Sequence, residues 1–234
     1  MCVLCLARYD AVVLAYGASS DRALGVPGED LTGVLSAREF VGWYNGAPEL
    51  QGLNPPLASS DTAVIVGNGN VAIDLARLLT APPAAFGASD LTSAAMHVLA
   101  QSQVRRVVVV GRRGPLECSF TIKELRELTK IAGVHVSMPG AFHPPLTPTE
   151  LAYVAATRPR QRLTELMQKT AQQQVHMFSA VGGKSVEFLF LRSPVSVLGD
   201  DTGNVKGITF EKNELTGEPG QRRVKGTGET QSVQ

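Results

Sequence analysis

Short β-branched apolar runs alternate along this chain with stretches in which apolar residues recur every three or four positions. Ala63 to Val66 is the first strong run, and Val71, Leu75 and Leu78 follow it at helical spacing. Val104 to Pro115 repeats the strand signature and ends in paired arginines, Leu125 and Leu128 follow in a helical pattern, and Val134 to Met138 supplies a third strand. Leu163, Leu166 and Met167 belong to a later helix. Val186 to Val197 and Val205 to Phe210 have strand character on either side of the turn-rich Gly199–Asn204 segment, which predicts an antiparallel ribbon. The alternation predicts an α/β fold, a central parallel sheet flanked by helices with that ribbon added.

Punctuation residues refine these bounds. Ser36-Ala37-Arg38-Glu39 has capping-box spacing and predicts a helix through Trp43 and Tyr44, ended by Asn45-Gly46. Thr121-Ile122-Lys123-Glu124 has the same spacing, so by this criterion Glu124 is a helix cap. Val26 to Glu29 reads as a turn, Leu53 to Ser60 as a Pro-rich linker, and Pro139 to Pro148 as irregular chain. Tyr9 to Tyr16 is a strand candidate with nothing before it to pair with, which suggests a partner domain upstream. From Asn213 onward the chain is polar and Gly-rich, and partial mobility is expected there.

The first strand-to-helix junction carries a chemical signature. Gly67-Asn68-Gly69-Asn70-Val71-Ala72 reads G-x-G-x-x-A, after a strand and opening a helix, as a dinucleotide fingerprint requires. Gly67 permits the tight turn, Gly69 keeps side chains away from a pyrophosphate, and Ala72 allows close helix packing. Glycines also turn many strands into helices for purely structural reasons. The second strand ends in Gly111-Arg112-Arg113-Gly114, where an NAD-specific Rossmann fold would place an acid for the ribose hydroxyls. Arg112 and Arg113 instead present forked donors suited to a 2'-phosphate, which favours NADP over NAD. About 40 residues separate Gly69 from Arg112, where the compact motif has roughly 20 before its ribose-binding position. The surplus reads as an insertion, a loop over 81–89 and a short helix over 93–102.

Composition narrows the function classes. The 234 residues are 44% apolar and 18% charged, enough for a sizeable core, and a formal net charge of +1 gives no reason to expect nucleic acid or a membrane surface as partner. No apolar run has transmembrane length. Cys2, Cys5 and Cys118 do not form a disulfide framework, and the Cys2/Cys5 spacing lacks the companions of a metal or redox motif. His97, His135, His143 and His176 are scattered, so no metal site is expected. The densest basic spot, Arg158-Pro159-Arg160-Gln161-Arg162, fits a solvated helix entry or a surface for an acidic partner.

Several longer segments carry a specific likeness. Tyr9 to Ala18, S-A-R-E-F-V-G-W-Y-N-G from Ser36, G-N-G-N-V-A-I-D-L-A-R from Gly67, V-G-R-R-G-P from Val110, F-T-I-K-E-L-R-E-L from Phe120 and R-L-T-E-L from Arg162 occur in order over nearly the whole chain. In these segments the chain closely resembles adrenodoxin reductase, the mitochondrial ferredoxin-NADP reductase family built on a glutathione-reductase-like plan. The resemblance implies a mitochondrial, NADPH-dependent FAD enzyme that passes electrons to an acidic two-iron, two-sulfur ferredoxin. By position it also implies that Asn68, Gly69, Asn70 and Val71 form the pyrophosphate loop and that Arg112 and Arg113 clamp the 2'-phosphate. Glu124 would make a further NADP contact, and Arg126, Arg158 and Arg162 would dock the ferredoxin.

The family also has an N-terminal FAD fingerprint and a C-terminal G-W-x-x-R-G-P-x-G region, and neither motif occurs in these residues. The expectation is therefore a portion of a reductase: residues 1–20 as a strand leading out of an absent FAD domain, and residues 21–234 as the NADP-binding domain. Such a chain would bind cofactor and do no chemistry alone, and no catalytic residue is assigned. A self-contained dehydrogenase is disfavoured because none of Tyr9, Tyr16, Tyr44 or Tyr153 has a lysine four positions later. A non-catalytic NADP-binding or ferredoxin-docking module is the other alternative.

Overall fold

The computed structural model describes residues 9–13, 20–172 and 183–234. Its centre is a four-stranded, all-parallel sheet in the order β1, β2, β4, β3. The strands are β1 (Thr62–Val66), β2 (Arg106–Val110), β3 (Val134–Ser137) and β4 (Lys184–Leu189). A three-stranded antiparallel sheet follows: β5 (Arg192–Gly199), β6 (Val205–Thr216) and β7 (Arg223–Val233). The helices are α1 (Ala37–Tyr44), α2 (Asn70–Thr80), α3 (Ser93–Ala100), α4 (Ile122–Thr129), α5 (Pro148–Ala155) and α6 (Arg158–Gln172).

The twofold alternation of side chains along β2 explains the layering. Val107 and Val109 join Val186, Phe188 and the apolar faces of α2 and α4 in the main core. Val108 and Val110 point the other way and pack with Val197, Ile208, Phe210 and Val233 of the antiparallel sheet. All four valines are at most 1% exposed, so β2 is covered on both faces. That accounts for its unbroken apolar run.

One expectation needs correction, and two elements go beyond the local patterns. The run Val186 to Val197 is two strands in two sheets: β4 completes the parallel sheet, and the chain turns at Leu191, whose φ is 57°, before β5 begins. Continuous β propensity concealed that corner, because Leu191 carries no glycine to announce the left-handed backbone. The polar segment from Asn213 finishes β6 and supplies all of β7, an edge strand whose solvated side chains give it a loop-like composition. Finally, α5 was not anticipated, although Thr147 and Glu150 form a complete capping box with Pro148 in the first turn. The proposed strand Tyr9–Tyr16 falls partly outside the described residues, and its described part, 9–13, has no regular secondary structure.

The surplus between β1 and β2 contains a 3₁₀ turn at Pro83–Phe86 and α3, as its spacing predicted. Helix α3 packs beside α1, and the Thr92 N–H donates to the Tyr44 carbonyl at 3.1 Å. The insertion therefore extends the helical layer beside α1.

Candidate functional site

Parallel register brings the carboxyl ends of β1, β2 and β4 to one edge, with Val66 beside Val110 and Val110 beside Leu189. The loops leaving this edge are stitched together. The Gly67 N–H donates to the Val110 carbonyl at 2.8 Å, the Gly111 N–H to that of Leu189 at 2.9 Å, and the Leu191 N–H to that of Arg113 at 3.1 Å. Open α/β sheets receive ligands in this kind of crevice.

Gly67 has φ of 137°, a region that L side chains rarely adopt, so the turn selects glycine through its backbone. Gly69 is the N-cap of α2, and no side chain caps the helix; its first turn also lacks an acidic residue. The first N–H groups of an α-helix have no intrahelical acceptors, and the dipole adds partial positive charge at the same place. An anion at this elbow meets open donors. Ala72, Ile73 and Ala76 bury the inner face of α2, while Val71 stays half exposed at the mouth.

Asn68 supplies a more specific indication. Its side-chain amide nitrogen is buried and has no hydrogen-bond partner, an arrangement that ordinarily costs about 1–3 kcal/mol. The room for it comes from Gly111, where a β-carbon would lie 2.6 Å from the Asn68 nitrogen. The donor is thus held beside both loops and lacks an acceptor that a phosphate or carbonyl oxygen could provide. This fits a dinucleotide.

The two arginines differ from their surroundings in being exposed on a tied backbone. The Arg112 carbonyl accepts from the Asn213 side-chain amide at 2.9 Å, and that amide also donates to Ser193 Oγ at 2.8 Å. Neither Arg112 nor Arg113 forms an ion pair among the described residues. Both guanidinium groups are therefore available while their loop is anchored to the second sheet. Asn213 was read only as the start of a polar tail, and nothing in its local sequence reveals that it reaches across a hundred residues.

Glu124 is not a reciprocal cap. Thr121 Oγ1 accepts from the Glu124 N–H at 3.4 Å, but the Thr121 N–H donates to Asn70 Oδ1 at 2.9 Å, not to the Glu124 carboxylate. The carboxylate instead faces Arg77 at 3.4 Å, and Arg77 also reaches Asp74 and Glu127. Asn70 thereby joins the N-terminal ends of α2 and α4, the helix that carries Glu124.

The basic positions separate into two kinds. Arg160 folds over the Tyr153 ring at 3.7 Å and donates to the Tyr153 carbonyl, so it is internally committed. Arg158 and Arg162 are exposed one turn apart on α6, which packs against α4, the helix carrying the half-buried Arg126. None of these three forms an ion pair among the described residues. Cys118 is set aside as a redox group, since burial pushes its thiol up to about 12. Among the described residues no cluster of His, Cys, Asp and Glu could hold a metal, and no helix is long and apolar enough to cross a membrane.

No family model matches the chain. Individual proteins do. The human protein named "NADPH:adrenodoxin oxidoreductase, mitochondrial" is 45% identical over 235 residues, covering 96% of this chain and 46% of its own length. The Arabidopsis thaliana protein of the same name is 40% identical over 228 residues, and the "NADPH-ferredoxin reductase FprA" of Mycobacterium leprae is 41% identical over 222. Among solved structures, Mycobacterium tuberculosis FprA in complex with NADPH matches with a TM-score of 0.84 and 38% identity, over 97% of this chain and 48% of that one. Common sequence and common fold thus place this chain in the adrenodoxin reductase family, of whose matching curated members it spans about half the length.

Proposed function

We propose that this chain is the NADP(H)-binding portion of a flavoprotein that transfers electrons from NADPH through FAD to an acidic two-iron, two-sulfur ferredoxin in mitochondria. The observation that carries the reading is the buried, partnerless Asn68 amide at the uncapped N-terminus of α2, beside two exposed, unpaired arginines. The pyrophosphate takes the elbow formed by Gly67, Asn68, Gly69, Asn70 and Val71, with Ala72 keeping the helix close. Arg112 and Arg113 grip the 2'-phosphate, and Glu124 makes a further contact with the dinucleotide.

In such an enzyme the hydride and single-electron chemistry is supplied by the nicotinamide and the flavin. The residues of this chain bind the dinucleotide, orient it and select its phosphorylated form. Orientation matters because hydride transfer requires the reacting atoms at near-attack distance. The relationship to proteins named as NADPH:adrenodoxin oxidoreductases supports the reaction class, and the exposed Arg158 and Arg162, with the half-buried Arg126 on the neighbouring helix, support docking of an acidic protein.

The test is a calorimetric titration of the purified chain with NADPH and NADH while the visible spectrum is recorded. We expect NADPH to bind at least ~10-fold more tightly, with no flavin absorbance and no oxidation of the nucleotide by the chain alone. Equal affinities would overturn the 2'-phosphate assignment. Stoichiometric copurifying flavin would overturn the assignment of the flavin site to sequence outside this chain.

A further inference from the structure

Three consecutive carbonyls hold the loop that carries the paired arginines. The Arg192 N–H donates to that of Gly111 at 3.0 Å, the Asn213 side-chain amide to that of Arg112 at 2.9 Å, and the Leu191 N–H to that of Arg113 at 3.1 Å. The outer two donors are backbone groups, which every residue but proline supplies. The middle donor is a side chain, and it meets the first of the two arginines.

Asn213 is itself fixed in place. It lies in β6, is only 6% exposed, and its backbone N–H donates to the Leu191 carbonyl at 2.9 Å. Its amide nitrogen carries two protons and uses both, one on the Arg112 carbonyl and one on Ser193 Oγ at 2.8 Å. A carbonyl only accepts, so the nitrogen and not the oxygen of the amide faces Arg112. β6 meets the same loop again farther along. Leu215 Cδ1 lies 3.3 Å from where a β-carbon at Gly114 would stand. Arg222, in the turn after β6, pairs with Glu150 at 2.6 Å and with the buried Glu117, just past the arginines, at 3.5 Å.

A guanidinium grips a phosphate best when its fork arrives at the right angle, so the backbone beneath it contributes to recognition without touching the ligand. Resting on the NADP(H) reading given above, we infer that Asn213 is a positioning residue for the 2'-phosphate clamp: its side-chain amide holds the Arg112 backbone in place before the nucleotide arrives, and so helps to set the preference for NADP(H) over NAD(H). Asn213 acts through Arg112. Without its amide, the Arg112 carbonyl turns to water and the clamp must be ordered during binding, which weakens the grip.

The test is calorimetry of the whole chain with NADP⁺ and NAD⁺, in wild type, Asn213→Ala, Arg112→Ala and the double variant. Asn213→Ala should weaken NADP⁺ by about 3- to 10-fold, the size of one net hydrogen bond, and NAD⁺ by less than about twofold. In the Arg112→Ala background the same substitution should weaken NADP⁺ by less than about twofold, because the group it positions has gone. Equal losses for the two nucleotides, or no loss for either, overturn the inference. An undiminished NADP⁺ loss in the absence of the Arg112 side chain also overturns it, showing Asn213 to be a strut of the second sheet. Should Asn213→Ala fail to fold, the side-chain amide resonances of Asn213 in the wild-type chain decide. They should move further on saturation with NADP⁺ than with NAD⁺, and equal movement overturns the inference. A wild-type chain with no preference for NADP⁺ contradicts the NADP(H) reading itself.

Discussion

Asn70 Oδ1 accepts a hydrogen bond from the Thr121 N–H at 2.9 Å, joining the first residue of α2 to the N-cap of α4. One amide thus fixes the glycine elbow, the proposed pyrophosphate site, relative to the helix that carries Glu124. Asn70→Ala should leave the Thr121 N–H to water and cost about 0.5–1.5 kcal/mol of stability, read as a lower urea midpoint with an unchanged slope. An unaltered midpoint would show that the two helix ends are held together by packing alone.

Gly111 fills the space between the two loops by having no side chain. Its β-carbon in Gly111→Ala would stand 2.6 Å from the Asn68 amide nitrogen and 3.2 Å from Asn68 Cβ. The buried amide must then move, at a cost of about 1–3 kcal/mol for overpacking. Nucleotide affinity should fall with it, because the elbow loses its side-chain donor. Wild-type stability and affinity in this variant would contradict the role assigned to Asn68.

The strand-turn-helix at Thr62–Thr80, the Ser36 helix with its complete capping box and the third strand were legible in the sequence because local pattern and tertiary role agree there. The division of Val186–Val197 was not, since one apolar run serves two sheets and Leu191 turns without a glycine. Glu124 shows how a motif can match and still mislead: spacing is right for a capping box, yet Asn70, distant in sequence, takes the N-cap N–H. Asn213 and Glu117 were invisible for a related reason. Their meaning lies in contacts across 101 and 105 positions, with Arg112 and Arg222, that no window along the chain contains.

Arg158 and Arg162 present two unpaired charges from adjacent turns of α6. Replacing both with Glu should weaken binding of an acidic two-iron, two-sulfur ferredoxin by at least ~10-fold at low ionic strength, and flatten the salt dependence of association. NADP⁺ affinity should not change. Surface plasmon resonance over a salt series would check both, and unchanged ferredoxin affinity would remove α6 from the docking surface.

Asp200 organises the turn between β5 and β6. The Thr202 hydroxyl and the Asn204 N–H donate to its carboxylate and lower its pKa from 3.8 to about 2. Because the folded value lies below the unfolded one, the stabilisation is present above about pH 4 and is lost as pH falls toward 2. Asp200→Asn should abolish the acid-induced change of the Thr202 and Asn204 amide resonances in an NMR titration. A titration of Asp200 near its ordinary value would contradict the turn geometry.

The central claim is that this chain recognises the phosphorylated ribose through Arg112 and Arg113. Its most direct test is the affinity of wild type and Arg112→Ala for NADP⁺ and NAD⁺, measured by calorimetry at one salt concentration. The account predicts a loss of about 1.5–3 kcal/mol for NADP⁺, or about 10- to 150-fold, with NAD⁺ almost unaffected. Equal losses for the two nucleotides, or no loss for either, would contradict it.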